Sequence, residues 1–270
     1  MLLDTPLLMG ILNVTPDSFY DGGRLMTERA VVERAERMLA DGATFLDVGG
    51  YSSRPGAADI PESEELSRVL PAVRAICRAF PQAIVSIDTF RSEVARAAVA
   101  EGASMINDIS GGALDAQMPR VVAEAGVPYV LMHMRGTPQN MKEQVRYDDL
   151  LKTVNDYFHQ RIHLFQQAGC KDIILDPGFG FAKTREQNFE LLNKLPLLHL
   201  HGKPLLVGLS RKSMVWKTLG VEAKDALNGT TALNTMALLQ GASILRVHDV
   251  REAREVITLV SALNKEKRTS

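Results

Sequence analysis

The chain has 270 residues, 46% of them hydrophobic, which is enough apolar surface for a sizeable core. Its 31 basic and 32 acidic residues nearly cancel, so there is no overall basic field to draw nucleic acid, and any anion site must be a local cluster. Cys77 and Cys170 form neither a Cys-x-x-Cys pair nor a disulfide framework, no stretch is apolar for long enough to span a bilayer, and Asp4 and Pro6 interrupt an N-terminus without a basic start, so a reducing cytoplasm is the expected location.

Leu7 to Leu12 is a first apolar strand, ending at Asn13 and followed by a loop, Val14 to Arg24, rich in Asp, Ser and Gly. Thr27 opens a helix with Val31, Ala35 and Met38/Leu39 on one face. Thr44 to Val48, which contains Asp47, is strand two; it runs into a glycine- and proline-punctuated loop, Gly49 to Gly56, and a helix from about Pro61 to Ala79. Ala83 to Ile87 is strand three, ending in Asp88, with a helix to about Glu101 behind it. Ser104 to Ile106 is strand four, ending in Asn107 and Asp108. Pro128 to Met132 is strand five, reaching His133, and a long helix, Tyr147 to Ala168, leads to strand six.

Strand six, Ile173 to Leu175, lacks polar alternation, so both its faces should be covered, as in a parallel sheet. It ends in Asp176, where Pro177 stops the ladder and Gly178 and Gly180 permit a loop that presents Phe179 and Phe181. A short helix near Arg185 follows. Leu205 to Leu209 is strand seven, ending in Ser210, Arg211, Lys212 and Ser213, and an amphipathic stretch runs on to Gln240. Strand eight starts at Ser243 and carries Arg246 and His248 at its end, before a last helix and a charged tail, Lys265 to Ser270, that should fray.

Polar strand ends recur about every 34 residues, the size of one strand-plus-helix unit. Eight such units predict an α/β protein, a single-domain (β/α)8 barrel over residues 1–270, with an open doubly wound sheet as the alternative. No Walker-type phosphate loop is present, and no Gly-x-Gly-x-x-Gly follows the first strand. In a barrel, Asn13, Asp88, Asn107, His133, Asp176, Ser210, Arg246 and His248 project near the C-terminal rim, where barrel enzymes keep their sites. Each alone reads equally as a cap or turn residue; their convergence on one mouth reads as a site.

Two sub-sites separate by charge. Asp88, Asn107 and Asp176 offer acceptors plus an amide, a set suited to a heterocycle edge rich in N–H donors. Arg54, Lys212, Arg246 and His248 are donors, and those on strands seven and eight read as an anion clamp. A Schiff-base role for Lys212 is the weaker reading, because Ser210 to Ser213 looks like a turn into a helix and not a lysine held in an apolar strand. His199 and His201 have metal-like spacing without a third ligand nearby, which favours a plain loop.

The segments Gly10 to Phe19, Asp21 to Gly23, Ser52 to Ala57, Ser86 to Thr89, Ile106 to Gly112, Leu175 to Phe181, Gly208 to Ser213 and Arg246 to His248 resemble, in order and over essentially the whole chain, the motifs of the dihydropteroate synthase family of pterin-binding barrels. The resemblance implies a transferase of folate biosynthesis that condenses 6-hydroxymethyl-7,8-dihydropterin diphosphate with 4-aminobenzoate, with Mg²⁺ as cofactor and a homodimeric assembly. It further implies that Asp88, Asn107, Asp176 and Lys212 hold the pterin, with Arg246 stacked on its ring. Ser53, Arg246 and His248 would bind diphosphate, and Asn13 would hold Mg²⁺ against it. Arg54, Pro55, Phe181, Lys212 and Ser213 would receive aminobenzoate, while Asp21 and Arg54 belong to loops that complete the site.

This chain departs from many members at Tyr51 and Ser53, where Glu and Thr are common; Ser53 keeps the hydroxyl, and Tyr51 changes how the loop packs. Two other functions fit a pterin barrel: a methyltransferase handling methyl-folate, and a catalytically silent binding protein. The Arg54/Lys212 pocket and the Arg246/His248 clamp argue against the methyltransferase, whose chemistry has no diphosphate to bind.

Overall fold

Alternation along the strands decides what the core is and where the site can be. The structure is a computed structural model and describes residues 5–15, 27–52 and 59–269, with side chains to residue 263. Asp21, Ser53, Arg54 and Pro55 therefore lie outside the described residues. Eight strands, β1 (Leu7–Asn13), β2 (Phe45–Gly49), β3 (Ile84–Asp88), β4 (Met105–Asp108), β5 (Tyr129–Met132), β6 (Ile173–Asp176), β7 (Leu206–Val207) and β8 (Ile244–Val247), pair in parallel in the order β6-β5-β4-β3-β2-β1-β8-β7. A parallel bridge between Leu175 and Leu205 joins β6 to the residue before β7. That bridge closes the sheet into a (β/α)8 barrel and rules out the open doubly wound alternative.

Met9, Phe45, Met105, Val130, Ile174, Leu206 and Ile244 form one buried cluster that plugs the barrel's interior. Strand residues of the other parity, such as Leu46, Val85, Ile106, Leu131, Leu175 and Leu245, belong to a separate, larger core between sheet and helices. Side chains alternate, so the residue two positions past a plug residue also points inward, one layer nearer the C-terminal rim. Phe45 leads to Asp47, Met105 to Asn107, Ile174 to Asp176 and Ile244 to Arg246. The plug is apolar and the layer above it is charged.

Nine helices among the described residues surround the sheet: α1 (Glu28–Ala40), α2 (Glu62–Ala79), α3 (Ser92–Ala100), α4 (Met118–Ala125), α5 (Leu150–Gln167), α6 (Arg185–Asn193), α7 (Ser213–Leu219), α8 (Leu227–Leu239) and α9 (Val250–Thr269). In α1 the Thr27 hydroxyl accepts the Ala30 N–H at 3.2 Å, and Val31, Ala35 and Met38 are buried, as their spacing predicts. The sequence pattern does not announce α4, which is eight residues long; its Pro119 sits in the first turn, where a missing N–H costs nothing, and Gly126 ends it in a left-handed conformation. The expected amphipathic run after β7 is three pieces, α7, a 3₁₀ turn at Ala223–Asp225 and α8. β7 itself keeps two ladder residues of the five expected.

Candidate active site

Arg246 organises the mouth. Its Nε lies 2.6 Å from Asp47 Oδ2 and its Nη2 lies 2.6 Å from Asp88 Oδ2, so one guanidinium bridges β2, β3 and β8. Asn107 adds β4, its Nδ2 donating to the same Asp47 oxygen at 2.9 Å. Burial alone would lower the Arg246 pKa, yet the carboxylates of Asp47 and Asp88 raise it above its ordinary value, so the guanidinium stays charged. Burial pushes the Asp88 carboxyl upward, opposed by Arg246. Asp176, inward on β6, is likewise raised by burial, against the Gly178 N–H that its Oδ1 accepts at 2.7 Å.

The loop after β6 is shaped by close approach. At Gly178, with φ 69°, a Cβ would sit 2.1 Å from the His133 carbonyl oxygen, so no other residue fits; at Gly180 it would meet Lys212 Cδ at 2.9 Å. Lys212 crosses into this loop, donating to the Phe179 carbonyl at 2.5 Å with its ammonium 4.4 Å from the Phe181 ring centre. Burial lowers its pKa to about 8, partly offset by Asp176. Beneath the loop lies another lysine, this one buried. Lys183 Nζ lies 3.0 Å from His133 Nδ1 and donates to the carbonyls of Gly178 at 3.0 Å and Phe181 at 3.1 Å.

His133 therefore does not reach the mouth, contrary to expectation. It follows the inward Met132 and faces the helices, buried against Tyr157 and Phe158, where it fixes Lys183. Ser210 and His248 do meet at the rim: Ser210 Oγ is 3.0 Å from His248 Nδ1 and accepts the His248 N–H at 3.1 Å. Between Ser210 and Lys212, Arg211 is held at φ 54°, a strained conformation for a side-chain-bearing residue, by paired bonds to Asp249 at 2.8 and 2.9 Å. That clamp turns Ser210 and Lys212 toward the mouth. Ser213, at the start of α7, is exposed.

Asn13 ends β1 beside Gly49, where a Cβ would lie 3.4 Å from Asn13 Oδ1 and 3.4 Å from Asp88 Cβ. The Asn13 amide oxygen, which with Asp88 flanks Gly49, is of the kind that an oxygen-seeking cation such as Mg²⁺ takes. No cluster of three His, Cys, Asp or Glu able to hold a metal occurs among the described residues. His199 and His201 lie in a 3₁₀ stretch, Leu195–His201, with His201 Nε2 3.0 Å from Asn155 Oδ1. Tyr51 is buried: its hydroxyl donates to Asp59 at 3.1 Å, accepts from Gln139 at 2.7 Å, and its ring stands edge-on to Phe90 at 5.0 Å.

Asp47 is the residue that the strand-end pattern misses. It is fully buried in mid-strand, flanked by the outward Leu46 and Val48, and only its parity with Phe45 signals that it belongs to the mouth.

A closed parallel barrel whose C-terminal mouth holds carboxylates and an amide around an arginine, beside a lysine against a phenyl ring, is a small-molecule barrel enzyme in form. The family model for "Pterin binding enzyme" matches residues 9–248. The dihydropteroate synthase of Escherichia coli is 46% identical over 266 residues, covering 96% of this chain and 92% of that protein. The crystal structure of the Yersinia pestis dihydropteroate synthase, in a sulfonamide drug complex, superposes with a TM-score of 0.93 at 43% identity, over 98% of this chain and 96% of that one. That of Xanthomonas albilineans, in complex with 7,8-dihydropteroate, gives 0.88 at 38% identity, over 98% and 95%. The chain belongs to the pterin-binding enzymes and, among them, to the dihydropteroate synthases.

Proposed function

We propose that the protein condenses 6-hydroxymethyl-7,8-dihydropterin diphosphate with 4-aminobenzoate to give 7,8-dihydropteroate and diphosphate. The observation that carries this reading is the division of the mouth: Asp88, Asn107 and Asp176 line it around Arg246, while Lys212 lies against Phe181 at its edge. The first set suits the N–H-rich edge of a pterin, with Lys212 completing it. The second, with Arg54, Pro55 and Ser213, suits an aromatic carboxylate.

Cleavage of the bond between the exocyclic methylene and the diphosphate oxygen leaves positive charge on the pterin, which buried carboxylates stabilise; the route is SN1-like. The amine of 4-aminobenzoate then forms the new C–N bond and gives up a proton. Ser53, Arg246 and His248 hold the departing diphosphate. Mg²⁺, held by Asn13, would neutralise charge on that leaving group. Asp21 and Arg54 act from the loops that complete the site. No enzyme nucleophile is required: Cys77 lies on α2 and Cys170 is buried beyond α5, while Lys212 is already tied to Phe179.

Release of diphosphate from the pterin substrate is the test. It should be fast with 4-aminobenzoate and slow without it; no release under either condition would rule out the reaction. Asp176→Asn should lose pterin affinity by roughly 2–5 kcal/mol with the fold intact, because it removes the charge from a buried hydrogen-bonded acceptor. Calorimetry showing unchanged pterin binding would contradict that. Chelating Mg²⁺ should weaken diphosphate binding far more than binding of a bare pterin.

A further inference from the structure

Asp47 has no part in the site as assigned so far, yet it holds the site's central groups. Its Oδ2 receives both the Arg246 Nε at 2.6 Å and the Asn107 Nδ2 at 2.9 Å, while Oδ1 is buried without a partner among the described residues. One oxygen thus couples β2, β4 and β8 just above the apolar plug. A carboxylate accepts and does not donate, so Asn107 must turn its Nδ2 toward Asp47 and its carbonyl oxygen away. The same contact anchors the Nε edge of Arg246, leaving Nη2 to reach Asp88 through a single oxygen, Oδ2, at 2.6 Å.

Without Asp47 the guanidinium has two other carboxylates within its field, the half-buried Asp88 and the buried Asp176. A guanidinium released from its Nε anchor pairs best in bidentate fashion with such a carboxylate. That pairing would consume the acceptor oxygens that a heterocycle edge needs. We propose that Asp47 is the positioning residue of the pterin pocket: without touching the ligand, it fixes Arg246 and Asn107 so that acceptors of Asp88, Asn107 and Asp176 stay open. This rests on the assignment of the mouth to a pterin.

The full-length protein carrying Asp47→Asn tests it. The substitution is isosteric and removes the charge; Asp47→Ala removes both contacts. Each variant is compared with the wild type for binding of a bare 6-hydroxymethylpterin by calorimetry and for the KM of both substrates, each measured with the other saturating. Pterin binding and the KM for the pterin diphosphate should worsen at least tenfold in Asp47→Asn and further in Asp47→Ala. The KM for 4-aminobenzoate should stay within twofold, because among the described residues no hydrogen bond or ion pair joins Asp47 to Lys212 or Phe181. Ser86→Ala, in register with Asp47 on β3 and with a hydroxyl that has no partner among the described residues, should change neither KM. Equal rises in both KM values, wild-type pterin binding, or failure of Asp47→Asn to fold would overturn the proposal, the first and last by making Asp47 a structural strut. A wild type that binds no pterin would instead refute the functional assignment.

Discussion

Burial and the adjacent Arg246 guanidinium hold the His248 imidazole down at a pKa of about 4, against an ordinary value of 6.5. Between those two values the unfolded chain binds a proton that the folded chain refuses. Stability from this residue is therefore complete above pH 6.5 and is lost as pH falls toward and through 4. The shift corresponds to roughly 2–3 kcal/mol at pH 4.5. Urea unfolding at pH 7.5 and 4.5 should show the wild type losing about that much more than His248→Gln; equal losses would mean that the imidazole is not desolvated. An anion placed beside it acts in the opposite direction and raises its pKa. Diphosphate binding near pH 5.5 should then take up a proton, seen as a binding enthalpy that varies with the ionisation heat of the buffer. At this scale the sequence is legible wherever a polar residue ends an apolar run, as at Asp88, Asn107, Asp176 and Arg246. It misleads where parity, and not position at a strand end, decides the outcome: Asp47 faces in from mid-strand, and His133, one residue past Met132, faces out.

The element most dependent on buried polar contacts is the turn from β6 into α6. Three acceptors, Gly178 O, Phe181 O and His133 Nδ1, surround Lys183 Nζ at 3.0 to 3.1 Å, matching the three donors of an ammonium. Burial lowers the Lys183 pKa to about 7, so holding that charge has a cost which the three bonds offset. Lys183→Met keeps the alkyl stem and deletes every donor. It should destabilise the protein by about 2–4 kcal/mol, because the acceptors remain buried and unpaired. Phe181 rides on the same loop, so the KM for 4-aminobenzoate should rise as well; denaturation midpoints and a KM matching the wild type would show that the loop supports itself. Pro177, Gly178 and Gly180 mark this loop in the sequence, but nothing in the local pattern says that a lysine after Phe181 turns inward. Seven-residue β1 and 18-residue α5 stand out, whereas α4 and the two-residue β7 depend on neighbours that only the closed barrel supplies.

Apolar surface is unevenly distributed over the whole molecule. Of the ten large hydrophobic side chains that are exposed among the described residues, six lie between Leu219 and Leu263: Leu219, Val221, Met236, Leu239, Leu259 and Leu263. Helix α8, rich in Leu and Ala and free of charge, carries Met236 and Leu239 about half exposed, and α9, packed on it, carries Leu259 at 72%. An uncharged helix with large apolar side chains exposed is normally covered by a partner surface, and a chain with a net charge of −1 has little self-repulsion to keep copies apart. We therefore expect a homodimer through α8 and α9. Replacing Met236 and Leu239 together with Glu should convert the dimer to a monomer in sedimentation experiments and make the melting temperature independent of protein concentration. Both side chains are exposed on α8, outside the strands that carry the mouth, so kcat should change less than stability. Sedimentation of the wild type as a monomer at high concentration would remove this interface. Loss of activity in step with dissociation would instead mean that the partner holds β8, and with it Arg246 and His248, in place.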